Sequence, residues 1–338
     1  MENNIYMENK IYMENKIYME DKTTKTLQAT FKSQDTEEWL DIHFTRPLGW
    51  GIAFACEKLG IHPNLVTVVS ILLGALAGYF FHFTDLALNC VGIGLLVFAN
   101  LLDSADGQLA RMTGQKTRLG RVLDGFAGDV WFVCIYAAIC WRLQSEFIPF
   151  TEQKWGIGIW MVCAVVGFGF HGNQCKLADY YRNIHLFFLK GVKGSELENS
   201  DALRKEFKSL SWREDFIWKL FLFFYARYTK AQEDMTPGFQ KLHKKLQENF
   251  PNGVLPAALC EDFCRQSRPL MAYANILTFN TRAIVLYVSL LVGQPLWYLL
   301  FETIILNALF IFMRSRHEKI CRNFVVTSSS SSDSQPLS

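Results

Sequence analysis

The sequence predicts an all-α integral membrane protein, a six-helix bundle with an amphipathic helical insert on its cytoplasmic side. Three observations predict it. Half of the 338 residues are hydrophobic (50%), and the mean hydropathy is positive. Several apolar runs approach the ~20 residues that cross a hydrocarbon layer. Lys and Arg gather at one set of connections between those runs and are sparse at the other, which is how a multi-pass chain fixes its orientation.

Residues 1–35 precede the first apolar pattern. They open with a hexapeptide array starting at Met1, Met7, Met13 and Met19, reading MENNIY, MENKIY, MENKIY and MEDKTT. That period suits no packed repeat, so a disordered tail is expected. Nothing in this polar stretch resembles a secretory signal, which needs a short apolar core before a small-residue cleavage site. Residues 36–177 form the first part of the membrane domain. Spans are expected near Asn64 to Phe83, Leu86 to Leu102, Asp124 to Leu143 and Gly156 to His171. Residues 178–275 are too polar and too long for an ordinary connector, and Pro237, Gly238, Pro251 and Gly253 punctuate them. Within them Phe216, Ile217, Leu220, Phe223 and Phe224 recur at helical spacing among charged neighbours, the pattern of an interfacial helix or of the core face of a small subdomain. Residues 276–322 supply the last two spans, Ala283 to Val292 with some extension and Trp297 to Met313. Gln294 and Pro295 separate them. Residues 323–338 end in a serine-rich tail expected to be disordered.

Arg111, Lys116, Arg118 and Arg121 crowd one connection, while Arg314, Arg316, Lys319 and Arg322 follow the last span. Both sets are expected to face the cytosol. A formal net charge of +2 gives no electrostatic footprint for a nucleic-acid partner. The nine cysteines are odd in number and fall mostly within apolar runs, so reduced thiols are expected. Gly167, Gly169 and Gly172 satisfy a dinucleotide-binding pattern, but they end an apolar span rather than a strand. Gly74 and Gly78 give a helix face small enough for close packing.

The stretch from Asp103 to Asp129 carries the chemistry, because charges beside membrane-length apolar runs are expensive and are kept for function. Asp103 and Asp106 lie three apart, on one face of a helix, where hard oxygen ligands hold Mg²⁺ or Mn²⁺. Gly107 and Ala110 keep the neighbouring strip small, and Arg111 offers a planar fork of donors to a phosphate. Asp124 and Asp129 add carboxylates from the next helix.

This spacing resembles the signature of the CDP-alcohol phosphatidyltransferase family, Asp-x2-Asp-Gly-x2-Ala-Arg-x8-Gly-x3-Asp-x3-Asp. Asp103, Asp106, Gly107, Ala110, Arg111, Gly120 and Asp124 fall in register. The last position is Gly128, and the aspartate follows one residue later as Asp129. One extra residue swings a side chain by roughly 100° on an ideal helix, so Asp129 faces away from the ion-binding side unless the helix widens locally into a π-bulge, for which Gly125 and Gly128 give the backbone freedom. Upstream, Pro63, Asn64 and Thr67 match the Pro-Asn-x-x-Thr pattern with which the family often opens its first span.

The resemblance implies transfer of a phosphatidyl group from CDP-diacylglycerol to a hydroxyl of a small polar alcohol, with release of CMP, in phospholipid biosynthesis. It implies two divalent ions, Mg²⁺ or Mn²⁺, held by Asp103, Asp106, Asp124 and Asp129, with Asp129 as the base. Asn64, Thr67, Gly107, Ala110 and Arg111 would bind the nucleotide. Similar bacterial enzymes make inositol phosphate the leading acceptor, and place the protein in the inner (cytoplasmic) membrane as a homodimer with its active site facing the cytosol. Lys176, Arg182 and Arg282 are candidates for an acceptor phosphate, and snorkelling at helix ends explains each of them as well. Glycerol phosphate, serine or an amino alcohol is the alternative acceptor. A metal- or nucleotide-binding membrane scaffold that has lost its base is the alternative function. Transport, the third, fits poorly with acids clustered beside Arg111 rather than at the midplane.

Overall fold

The computed structural model describes residues 33 and 35–330. The hexapeptide array of residues 1–24 and residues 331–338 lie outside the described residues. Within the described residues the backbone is helical, without a strand, and Phe147 and Lys154 form an isolated bridge in a connection. The chain divides into two compact units, one reaching to Ala77 and resuming from Gly94 to Trp131, the other comprising Gly78–Ile93 and everything from Phe132 onward.

In the first unit a π-helical turn, Asp41–Thr45, runs into α1, Arg46–Lys58. Three long helices follow, α2 (Pro63–Phe81), α3 (Leu86–Met112) and α4 (Arg118–Leu143), of which residues 63–77, 94–112 and 118–131 belong to this unit. Pro63 opens α2 at a position where its missing N–H costs nothing. At 1.5 Å per residue the 19 residues of α2 extend about 28 Å, close to the thickness of a hydrocarbon core. Ala53, Val66, Leu102, Ala105, Leu109 and Met112 pack together between α1, α2 and α3. Gly49 lets α1 approach α3, since a Cβ there would lie 3.0 Å from Gln108 Nε2 and from Ser104 Oγ. Gly74 of α2 leaves room for the Trp131 indole, whose Nε1 donates to the Ser70 carbonyl at 3.1 Å.

In the second unit Gly78 admits the α4 backbone, where a Cβ would meet Cys134 Cβ at 2.5 Å. Both glycines of the small-residue face therefore serve helix packing. A continuous helix follows, built from α5 (Gly158–Ala164), a π-helical segment (Val165–His171) and α6 (Gly172–Lys190). Gly191, at φ 75°, ends it in a conformation that few other residues adopt. Then come α7 (Ser200–Ser209), α8 (Phe216–Met235), α9 (Pro237–Asn249) and α10 (Ala257–Ile276). The chain closes with α11 (Phe279–Leu291), α12 (Leu296–Leu300), a second π-helical segment (Phe301–Leu306) and α13 (Asn307–Ser330). The main core of this unit gathers Tyr181, Ile184, Phe239, Phe263, Met271 and Met313 from α6, α9, α10 and α13.

The expected six spans become five. Among the described residues the segments long and apolar enough to cross a membrane are Pro63–Phe81, Leu86–Met112, Leu119–Leu143, Ala257–Leu291 and Leu296–Val325. The fourth expected span, Gly156 to His171, falls outside them because its apolar run stops at His171, Asn173 and Gln174 while the helix continues into polar sequence. The fifth begins at Ala257 rather than near Ala283, with a break at Leu277 and Thr278. The last helix reaches Ser330, past the boundary expected at residue 322. All nine cysteines are free thiols.

Candidate active site

The signature residues lie in the first unit. Asp103, Asp106, Gly107, Ala110 and Arg111 occupy the end of α3, and Asp124 and Asp129 the beginning of α4. Asp106 is 3% exposed. One oxygen of each α3 carboxylate, Asp103 Oδ1 and Asp106 Oδ2, is buried without a hydrogen-bond partner. Asp103, Asp106 and Asp124 lie close enough to feel one another's charge, and Arg46 and Arg111 act on them as well. Buried carboxylate oxygens without donors are costly unless a cation completes them. Asp103 and Asp106 therefore fit a hard divalent ion. Among the described residues, no three His, Cys, Asp or Glu side chains are already gathered as a metal site.

Arg111 lies one turn after Gly107. A Cβ on Gly107 would touch Arg111 Nη1 and Nη2 at 3.6 Å, so the guanidinium folds back along the strip that Gly107 keeps bare. Its Nε and Nη2 are buried without acceptors. Orphaned donors beside orphaned carboxylate oxygens leave both signs of charge incompletely paired, as suits an anionic ligand that arrives with a cation. Arg46, which sequence reasoning passed over, lies nearby. It is held by a two-pronged pair with Glu37, Nε to Oε2 at 3.1 Å and Nη2 to Oε1 at 3.0 Å, and its carbonyl accepts from Gln108 Nε2 at 3.1 Å.

Asn64 and Thr67 have identifiable structural work. Thr67 Oγ1 donates to the Pro63 carbonyl at 3.2 Å and also faces the Asp106 carboxyl. Thr117 caps α4 by accepting from the Gly120 N–H at 2.9 Å, while its hydroxyl donates to Asn64 Oδ1 at 3.2 Å. A Cβ on Gly120 would lie 2.9 Å from that same Asn64 oxygen. The signature glycine is thus a point of close approach, and Asn64 ties the start of α2 to the start of α4.

The π-helical widening that would return Asp129 to the ion-binding side is not present, since α4 is regular from Arg118 to Leu143. Gly128 sits one turn after Asp124 on nearly the same face. Asp129, five residues on, projects about 140° around the axis from Asp124.

Lys176, Arg182 and Arg282 belong to the second unit. Arg282 is fully buried, as is Glu302, and the two form an ion pair. The Arg282 guanidinium also donates to Gln174 Oε1 at 2.5 Å and to the Leu277 carbonyl. Tyr298 donates to Glu302 Oε1 at 2.7 Å, Tyr136 donates to Oε2, and His171 Nδ1 lies 3.1 Å from Oε1. This network joins the ends of the two π-helical segments, and Gly167 admits the Tyr136 ring against the first of them. The sequence signal that sequence reasoning missed was Glu302, a lone acid within an apolar run. Arg182 donates to Asn275 Oδ1 and Thr278 Oγ1. Lys176 Nζ sits 5.9 Å above the Tyr228 ring.

Comparison with known proteins agrees with the signature. Residues 60–170 match the model of the CDP-alcohol phosphatidyltransferase family. A 67-residue stretch, 20% of the chain, is 44% identical to an archaetidylinositol phosphate synthase from Pyrococcus horikoshii. That stretch covers 34% of the relative, so the match spans about a third of its length.

Proposed function

We propose that this membrane protein transfers a phosphatidyl group from CDP-diacylglycerol to a hydroxyl of a polyol phosphate such as inositol phosphate, a reading supported by the match of residues 60–170 to the CDP-alcohol phosphatidyltransferase model. The observation that carries the reading is the pairing of two buried, unpartnered carboxylate oxygens, on Asp103 and Asp106, with two buried, unpartnered nitrogens of Arg111, five residues beyond Asp106 on the same helix.

In this reading Asp103, Asp106, Asp124 and Asp129 hold two divalent ions, Mg²⁺ or Mn²⁺, with Asp129 also taking the acceptor's proton. When bound, such ions offset the charge of the diphosphate and polarise the phosphorus under attack. Arg111 meets a phosphate oxygen of the donor with its free Nε and Nη2 edge. Gly107 and Ala110 keep the approach open, and Asn64 and Thr67 border the nucleotide. The acceptor oxygen forms a bond to the phosphorus that bears the diacylglycerol, the bond from that phosphorus to CMP breaks, and CMP leaves with the electron pair. Asp129 is assigned the base because it is the one other carboxylate on α4 besides Asp124.

Lys176 is the acceptor-side cation with the fewest commitments, while Arg182 and Arg282 hold neighbouring side chains in place. A polyol phosphate is favoured by the name of the relative from Pyrococcus horikoshii. The basic residues after α3 and along α13 support a site that faces the cytosol from the inner membrane, and a homodimer belongs to the same proposal.

A second reading, a metal- or nucleotide-binding scaffold without turnover, is favoured by the regular α4 that turns Asp129 away from Asp124. The test is CMP release by the full chain in detergent with CDP-diacylglycerol and Mg²⁺, across inositol phosphate, glycerol phosphate, inositol, serine and ethanolamine. Release with inositol phosphate, and a lipid product of matching mass, is expected. Release with another acceptor reassigns the substrate, and silence across the panel from folded protein overturns the enzymatic reading.

A further inference from the structure

The helical insert carries an apolar face that its own packing leaves uncovered. On α8 the residues Phe216, Ile217, Leu220, Phe223, Phe224 and Arg227 fall on one stripe about 120° wide. Five of the six are large and apolar, and all five are exposed, with Phe224 at 61% and Ile217 at 58%. The opposite side is already satisfied. Leu203, Leu222 and Ala226 pack together there, with Phe207, Leu210, Trp218, Phe221 and Tyr225 around them.

We infer that the α8 stripe, with Trp212, is a bilayer-docking surface that lies in the interfacial layer of a membrane containing anionic lipid. Three features favour lipid over a protein occupant. First, aromatic rings and cations are arranged as an interfacial helix needs them. Arg227, itself exposed, lies 4.5 Å over the Phe223 ring at the edge of the stripe, and the exposed Trp212 ring stands just before it, so charge sits beside the rings rather than among them. Second, the exposed charges of residues 200–235 are Arg204, Lys205, Lys208, Arg213 and Arg227 against Asp201, Glu214 and Asp234, a positive balance that favours an anionic surface over a second copy of the same face. Third, outward residues of the membrane-crossing helices, such as Leu72 at 64% and Ile311 at 65%, are exposed to the same degree as the stripe. The chain is therefore already held at a bilayer, and a patch of this kind in water would be an aggregation liability.

The inference needs only that the chain spans a membrane and is independent of the enzymatic reading. Its test places a solvent-sensitive fluorescent amino acid at position 224 of the full chain in nanodiscs with about 30 mol% phosphatidylglycerol. A second probe at Ile217 guards against local unfolding, and one at Arg204, on the exposed side of α7, serves as reference. Lipids brominated near the glycerol end of their chains should quench the probes at 217 and 224 at least about threefold more than the reference, and aqueous iodide should quench them less. Iodide quenching equal to the reference would overturn the inference. So would protection from iodide without quenching by brominated lipid, which would mean that protein covers the face.

Discussion

Asp103 and Asp106 stand one turn apart on α3, and each buries a carboxylate oxygen that no donor reaches. Side chains placed this way wait for a cation. The full chain should therefore bind Mn²⁺. Replacing both residues by Asn should weaken that binding by at least about tenfold, read from the free-ion signal in electron paramagnetic resonance. Equal affinity in the double variant would detach the metal from this pair.

Asp129 separates turnover from binding. Asp129→Asn should lower kcat by at least about 100-fold, the range of a lost general base, with little change in KM for CDP-diacylglycerol. A variant that turns over as the parent does would show that the regular α4 keeps Asp129 out of the chemistry.

Gly120 and Asn64 are coupled through one contact. Gly120→Ala would push a methyl to 2.9 Å from Asn64 Oδ1 and 3.0 Å from Thr117 Oγ1, disturbing the cap of α4. A loss of about 1 kcal/mol is expected, as for other helix caps. Asn64→Ala makes room, so the double variant should lose less than the sum of the two single variants in thermal unfolding. Strict additivity would contradict the contact.

The Arg282 and Glu302 pair should be strongly structural. Glu302→Ala leaves a buried guanidinium uncompensated, at a cost of about 3–5 kcal/mol. Tyr298→Phe removes one hydrogen bond to the same carboxylate and should cost about 1 kcal/mol. Thermal unfolding in detergent checks the order, which unchanged stability in Glu302→Ala would reverse.

How much of this was legible in the sequence depended on range. Asp103, Asp106 and Arg111 were readable because helical spacing alone puts them within a turn or two of one another. Gly74 and Gly78 were readable as packing glycines, though not the particular neighbours, Trp131 and Cys134, that need them. The bond between Thr117 and Asn64 joins residues 53 apart, and no local pattern announces it. Arg282 alone looked like a cation at a helix end; its partner lies 20 residues on, beyond a turn. The π-helical segments left no periodic mark either. The fifth span was misplaced because Glu261, Asp262, Arg265 and Arg268 dilute the apolar pattern of α10, and the fourth was counted because its apolar run ends inside a helix that continues.

The central claim, that the Asp103 and Asp106 face of α3 carries phosphatidyl transfer, is tested most directly by CMP release from CDP-diacylglycerol with inositol phosphate and Mg²⁺, comparing the parent with Asp106→Asn. The account predicts a fall of at least about 100-fold in the variant, at unchanged thermal stability. Equal rates in parent and variant would contradict it.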